Sequence, residues 1–208
     1  MSEATRATGD NERMDPVARV ATRIVYRNAW MTVREDDVRR QDGSAGIYGV
    51  VDKPTYALVI AHDGERYHLV EQFRYPIGLR RWEFPQGTAP DTLDGQEPTP
   101  VELAARELRE ETGLRAESLV VLGQLDVAPG MTSQRGWAFL ATGLTAGDHE
   151  RELEEQDMRS DWFTGAQIER MIRDGTITDA QTIAAWTLLR LAAPQRRETT
   201  GDGAHDLS

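Results

Sequence analysis

The chain has 208 residues, 39% of them hydrophobic, and a formal net charge of −11, enough for one domain with a real core. That charge argues against a sequence-independent grip on nucleic acid, which needs a basic surface, but leaves room for a small anionic ligand wherever metal ions or local arginines reverse the field. There is no cysteine, so disulfides, thiolate zinc sites and cysteine nucleophiles are out.

In chain order, residues 1–15 are polar and acidic without an apolar signal core, and read as a tail. No later apolar run approaches membrane-spanning length, so the expected location is cytoplasmic, with no membrane partner. "RIVYRNAWMTVREDDVRR" reads as two strands joined by a bend at Asn28, and "QDGSAG" as a turn. This N-terminal β region is placed at residues 16–46. "YALVIAH", the turn at Asp63-Gly64 and "RYHLVEQFRYP" form a hairpin, followed by a short strand in "RRWEFPQGT". "APDTLDGQEPTP" is a loop by composition. Thr99, Pro100 and Glu102 then mark a helix start with a capping box, and Gly113 its end. Strands are expected in "LVVLGQLDV" and "GWAFLATGL". An acidic segment, "RELEEQDMRSDWF", precedes the helices "GAQIERMIRDG" and "DAQTIAAWTLLRLAA". The main domain is placed at 47–193 and a second tail at 194–208. Mixed strands with a few helices give an α+β fold of α/β/α layers with a small N-terminal antiparallel strand region.

The helix after Thr99 carries "RELREETGL", with Glu107, Glu110 and Glu111 at i, i+3 and i+4. At about 100° per residue, Val101, Ala104, Ala105 and Leu108 form the expected buried stripe, and the three glutamates share an arc beside it. A solvated charged face is one reading, with Arg106 offsetting Glu102 and Glu110. Against it, the glutamates repel one another at these spacings, and Glu110 and Glu111 sit in the last turn, where the helix dipole favours cations. Carboxylates without nearby histidine or cysteine suit a hard cation such as Mg²⁺ or Mn²⁺.

"RELREETGL" resembles the core R-E-U-x-E-E-x-G-U of the Nudix hydrolase signature, where U is a bulky aliphatic residue. The resemblance implies a Nudix fold, Mg²⁺ or Mn²⁺ as cofactor, Glu107 and Glu111 as principal metal ligands, Glu110 assisting, and Arg106 orienting the carboxylates. Upstream the pattern departs. Eighteen residues separate Gly87 from Arg106, and eight separate Glu97 from it, where the family pattern has thirteen and seven. This indicates a lengthened loop and leaves the role of Glu97 open.

"EQFRYPIGLRRWEFPQGT", "APGMTSQR" and "GTITDAQTIAAWTLL" are similar to segments of the ADP-ribose pyrophosphatase branch. That likeness implies substrate contacts from Arg74 and Glu83, a metal contact from the backbone carbonyl of Gln86, and water activation by Glu154 or Glu155. Gln156 stands where the branch has a second acidic position. The N-terminal region would dimerise, and Trp30 and Tyr26 would stack on a base, although packing is an equally simple role for Trp30. The four histidines are scattered without ligand spacing. The implied reaction is hydrolysis of a nucleoside diphosphate sugar, ADP-ribose to AMP and ribose 5-phosphate. The alternatives are GDP-mannose or another nucleotide sugar, and a non-catalytic module that binds ADP-ribose.

Overall fold

The computed structural model describes residues 15–88, 98–148 and 157–192. Both tail assignments fall almost wholly outside them, as do Glu97, Glu154, Glu155 and Gln156. Strands β1 (Val17–Arg27), β2 (Thr32–Arg40) and β3 (Ala45–Asp52) form an antiparallel sheet of their own. The bend at Asn28 is closed by its carboxamide oxygen, which accepts from the backbone N–H groups of Trp30 and Met31. β3 was not among the expected strands. Its two glycines and single exposed aromatic dilute the β signal, and pairing along β2 from Thr32–Asp52 to Arg39–Ala45 decides it.

The main sheet has the order β10-β5-β4-β9-β8, built from β4 (Tyr56–His62), β5 (Arg66–Arg74), β8 (Leu114–Asp126), β9 (Arg135–Ala146) and β10 (Arg159–Thr164). Two short strands extend it: β6 (Leu79–Glu83) on β5 and β7 (Gln86–Thr88) on β4. β4 and β9 are parallel, and the other pairs are antiparallel. β10 lies within the stretch read as an acidic segment. It is a short edge strand opening on charged residues, and only its register against β5 makes it a strand.

β4 shows why this is a sandwich. Tyr56, Leu58 and Ile60 face helices α2 (Gly165–Arg173) and α3 (Ala180–Ala192), packing with Phe84, Ile168 and Trp186. Ala57, Val59 and Ala61 face the other way, onto Leu103, Ala104 and Leu108 of α1 (Pro100–Thr112). A strand buried on both faces needs apolar residues at successive positions rather than alternation, and "YALVIA" supplies them before the half-buried His62. The expected α/β/α layering is therefore present.

α1 begins and ends as its sequence indicates. Thr99 and Glu102 form a reciprocal capping box, and Gly113 closes the helix in the left-handed region at φ 73°. Its orientation differs from the expected one. Val101 is 45% exposed and Ala105 is exposed, whereas Leu103, Ala104, Glu107, Leu108 and Glu111 are buried. The inward stripe is rotated toward the glutamates. Glu102 is taken up by Thr99 at the cap, not by Arg106.

Candidate active site

The site is assembled where β4, β5, β6, β7 and α1 converge. β5 ends on Arg74 and β6 on Glu83, and the two strands pair antiparallel with Arg74 opposite Leu79 and Val70 opposite Glu83. Arg74 reaches back along the ladder, donating to Glu83 Oε1 at 2.5 Å and to Oε2 at 3.2 Å. Gln72 donates to the same Oε1 at 2.5 Å. Glu83 is only 1% exposed. Burial raises its carboxyl to about 7, although the Arg74 guanidinium and its hydrogen bonds pull the other way.

Two cavities open on the shared wall formed by Lys53, Arg74 and the run Gln86–Thr88. The smaller, of about 330 Å³, is bounded on its far side by Arg106, Glu107 and Glu110 of α1 and by Trp30 from the N-terminal sheet. The larger, of about 420 Å³, runs toward Tyr56, Glu83 and the start of α3 at Asp179. Together they make one cleft with an acidic helix on one side and basic residues between.

On α1, Arg106 donates to Glu107 at 3.1 Å and lies 3.5 Å from Glu110, so it touches two of the three carboxylates. Arg109 approaches Glu110 at 3.6 Å. Glu107 is 6% exposed and Glu111 1% exposed. Glu111 lies one turn beyond Glu107 but does not line either cavity. Gly87 backs the Glu107 carboxylate so closely that a Cβ there would overlap Oε2. The glycine thus provides a seat that any larger residue would fill.

A hard divalent cation fits this donor set, since oxygen ligands bound the cavity and neither histidine nor cysteine does. Among the described residues no three histidine or acidic side chains converge on one point, and the acidic segment 149–156 lies outside them. Of the sequence-derived candidates, Trp30, Arg74, Gln86, Arg106, Glu107 and Glu110 are brought together on the smaller cavity. Glu83 lines the larger one. Tyr26 lines neither; it is 53% exposed, and its hydroxyl accepts from Asn28 at 3.3 Å.

Sequence reading missed Lys53, Tyr56, Gln72 and Asp179. Asp179 carried a signal, because "DAQT" places an N-cap residue before a helix. Its carboxylate does cap α3, accepting from Thr182 N at 2.7 Å, and it also accepts from Gln86 Nε2 at 3.0 Å. The other three lie in strands or just ahead of one, where side-chain direction is invisible without the register.

An acidic helix set across a cleft from Lys53 and Arg74, mounted on a mixed sheet between helical layers, is the arrangement of a Nudix-type hydrolase. A family model for the NUDIX domain matches residues 52–186, and a model for the nucleoside diphosphate sugar hydrolase N-terminal domain matches 19–51. The chain belongs to the Nudix family, and it is a Nudix hydrolase. It is 35% identical over 167 residues to the ADP-ribose pyrophosphatase of Mycobacterium tuberculosis, covering 79% of each chain. It is 28% identical over 179 residues to the CMP-5'-(N-acetyl-N-hydroxy-3-aminopropyl)phosphonate hydrolase of Streptomyces rubellomurinus, covering 84% of this chain and 83% of that one. A crystal structure of an ADP compounds hydrolase superposes with a TM-score of 0.73 at 20% identity, over 85% of this chain and 94% of the other. At that identity the likeness speaks for the fold.

Proposed function

We propose that this enzyme hydrolyses the diphosphate of a nucleoside diphosphate sugar, with ADP-ribose cleaved to AMP and ribose 5-phosphate in preference to GDP-mannose or other nucleotide sugars. The observation that carries this reading is the pair of cavities on one basic wall. A nucleotide sugar has two bulky ends joined by an anionic centre, and the cleft offers two spaces joined by Arg74 and Lys53. The naming of the mycobacterial relative as an ADP-ribose pyrophosphatase supports the choice of substrate.

Mg²⁺ or Mn²⁺ would be held by Glu107 and Glu111, with Glu110 and the Gln86 carbonyl assisting. When bound, the cation neutralises phosphate oxygens and lowers the pKa of a coordinated water. Arg106 keeps Glu107 and Glu110 oriented by its contacts to both. Arg74, itself held by Glu83, faces the charge that develops on the phosphate as the anhydride opens. The Trp30 ring on the smaller cavity stacks on the base. Glu154 or Glu155 of the acidic segment would act as the general base toward the attacking water. We further infer that the enzyme works as a homodimer joined through its N-terminal sheet, with Tyr26 exposed at that surface.

Glu111→Gln tests the assignment. Measured with Mg²⁺ on ADP-ribose, its turnover should fall by at least ~10²-fold while circular dichroism and the melting temperature stay near those of the parent. Near-normal turnover would refute the metal role. A panel of nucleotide sugars and nucleoside triphosphates, read as phosphate released after phosphatase coupling, tests the substrate. Preference for a triphosphate would overturn it.

A further inference from the structure

The stretch "APGMTSQR", which joins β8 to β9, has no part in the reaction described above. It is nevertheless zipped to the three-residue crossing, Lys53 to Thr55, that leads from β3 of the N-terminal sheet into β4. Val51 N donates to Met131 O at 2.8 Å and Ser133 N to Val51 O at 3.2 Å. The loop thus runs parallel to the end of β3, with Thr132 beside Val51. Two side chains carry the contact past the end of the strand. Ser133 Oγ donates to Asp52 Oδ1 at 2.8 Å, and Gln134 Nε2 donates to Pro54 O at 2.9 Å. Lys53 lies between these two anchored residues, and it lines both cavities.

The surroundings narrow its freedom further. Pro54 disfavours helical backbone at Lys53. The Asp52 carboxylate also accepts from Arg34 Nε of β2 at 2.6 Å. Gln134 is only 6% exposed, and its amino group is shared between Pro54 O and Thr88 Oγ1, the latter at 3.3 Å. Thr88 belongs to the wall that bounds both cavities. One buried carboxamide therefore ties the crossing to that wall, with Lys53 beside the tie.

We propose that Ser133 and Gln134 are positioning residues that act through Lys53. They fix its backbone from both sides, so that its ammonium meets the diphosphate on the wall it shares with Arg74. The inference rests on the nucleotide-sugar reading above. A lysine is a point charge on a flexible four-carbon stem, and anchoring its Cα shrinks the volume that charge searches. Loosening the clamp weakens ground-state and transition-state binding alike, so KM rises while kcat holds. Gln134 also lines the larger cavity, and direct contact with the substrate is the rival role.

A double-mutant cycle on ADP-ribose with Mg²⁺ separates the two. Lys53→Met removes the ammonium and should raise KM at least about tenfold. Gln134→Met loses both donated hydrogen bonds and should raise KM about tenfold, and Ser133→Ala about threefold, each with kcat within about threefold. In the Lys53→Met background, both loop substitutions should change KM by less than about twofold. Ser133 is exposed, so its variant guards against a folding defect in Gln134→Met. Equal KM increases with and without the Lys53 ammonium would assign Gln134 to direct contact and overturn the clamp. A parent-like KM in Lys53→Met, or in both loop variants, would overturn it too. If the parent enzyme cleaves no nucleotide sugar, the functional reading fails and the clamp falls with it. If it does cleave them and the cycle is additive, the clamp alone fails.

Discussion

Glu83 is the residue whose chemistry depends most on its surroundings. Its sequence context, Trp82-Glu83-Phe84, contains only the suggestion that a carboxylate lies among aromatics, and the register of β5 with β6 sets Arg74 and Gln72 on it. Its carboxyl rises from the ordinary 4.5 to about 7 because burial outweighs the guanidinium. Between these two values the folded chain holds a proton that the unfolded chain has released. The stabilisation is therefore complete below about pH 4.5 and disappears as pH rises through about 7. In chelator, the stability advantage of the parent over Glu83→Gln should shrink from pH 5 to pH 8, by an amount on the order of a few kcal/mol at most. Parallel pH profiles from denaturant unfolding would show that the carboxyl titrates normally.

Among the elements, α1 was the most legible and was nevertheless rotated. Capping box, proline and C-terminal glycine define its ends through local chemistry, and all are found in place. Thr99→Ala removes the hydroxyl that accepts from Glu102 N and donates to its carboxylate, leaving only the backbone N–H donation to that carboxylate. It should lower stability by about 1 kcal/mol, seen as a shift in the urea midpoint with an unchanged slope, while turnover stays within about twofold. A loss below 0.3 kcal/mol would mean that packing alone holds the helix start. Which face turns inward was misread because Ala105 and Val101 were counted as core on apolarity alone. Ala57, Ala61 and Ala141 make a shallow floor for α1. The buried positions of α1 include two glutamates, of which Glu107 lines the cleft, and Gly87 leaves room for its carboxylate. β3 and β10 were missed for the opposite reason, since neither has a local pattern strong enough to identify a strand apart from its partner.

At the scale of the molecule, the N-terminal sheet raises the question of what covers it. Every residue of β1 is exposed, among them Val20 at 59% and Ile24 at 56%, with Ile47 on β3 at 64%. Large apolar side chains exposed together on a sheet mark interfaces, and among the described residues β1 pairs along one edge only. A second copy of the chain, as proposed above, would cover both. Light scattering after size exclusion should give the mass of a dimer, and Ile24→Asp should shift it toward monomer. A monomeric parent protein at micromolar concentration would exclude the homodimer. No helix among the described residues is long and apolar enough to cross a membrane.

By itself, the sequence determined whatever local chemistry decides: the ends of α1, the Asp63-Gly64 hairpin turn, the apolar run Tyr56–Ala61 of β4, and the glutamate-arginine string that marks the family. These depend on residues within a turn or two of one another, so their spacing is written in the chain. Only the tertiary structure decided that Arg74 closes on Glu83, that Trp30 lines the same cavity as Glu107, and that Tyr56 and Asp179, 123 residues apart in sequence, line the same larger cavity. Those meetings depend on strand register and on which helix face turns inward. A shift of one residue would send each side chain to the opposite face of its sheet.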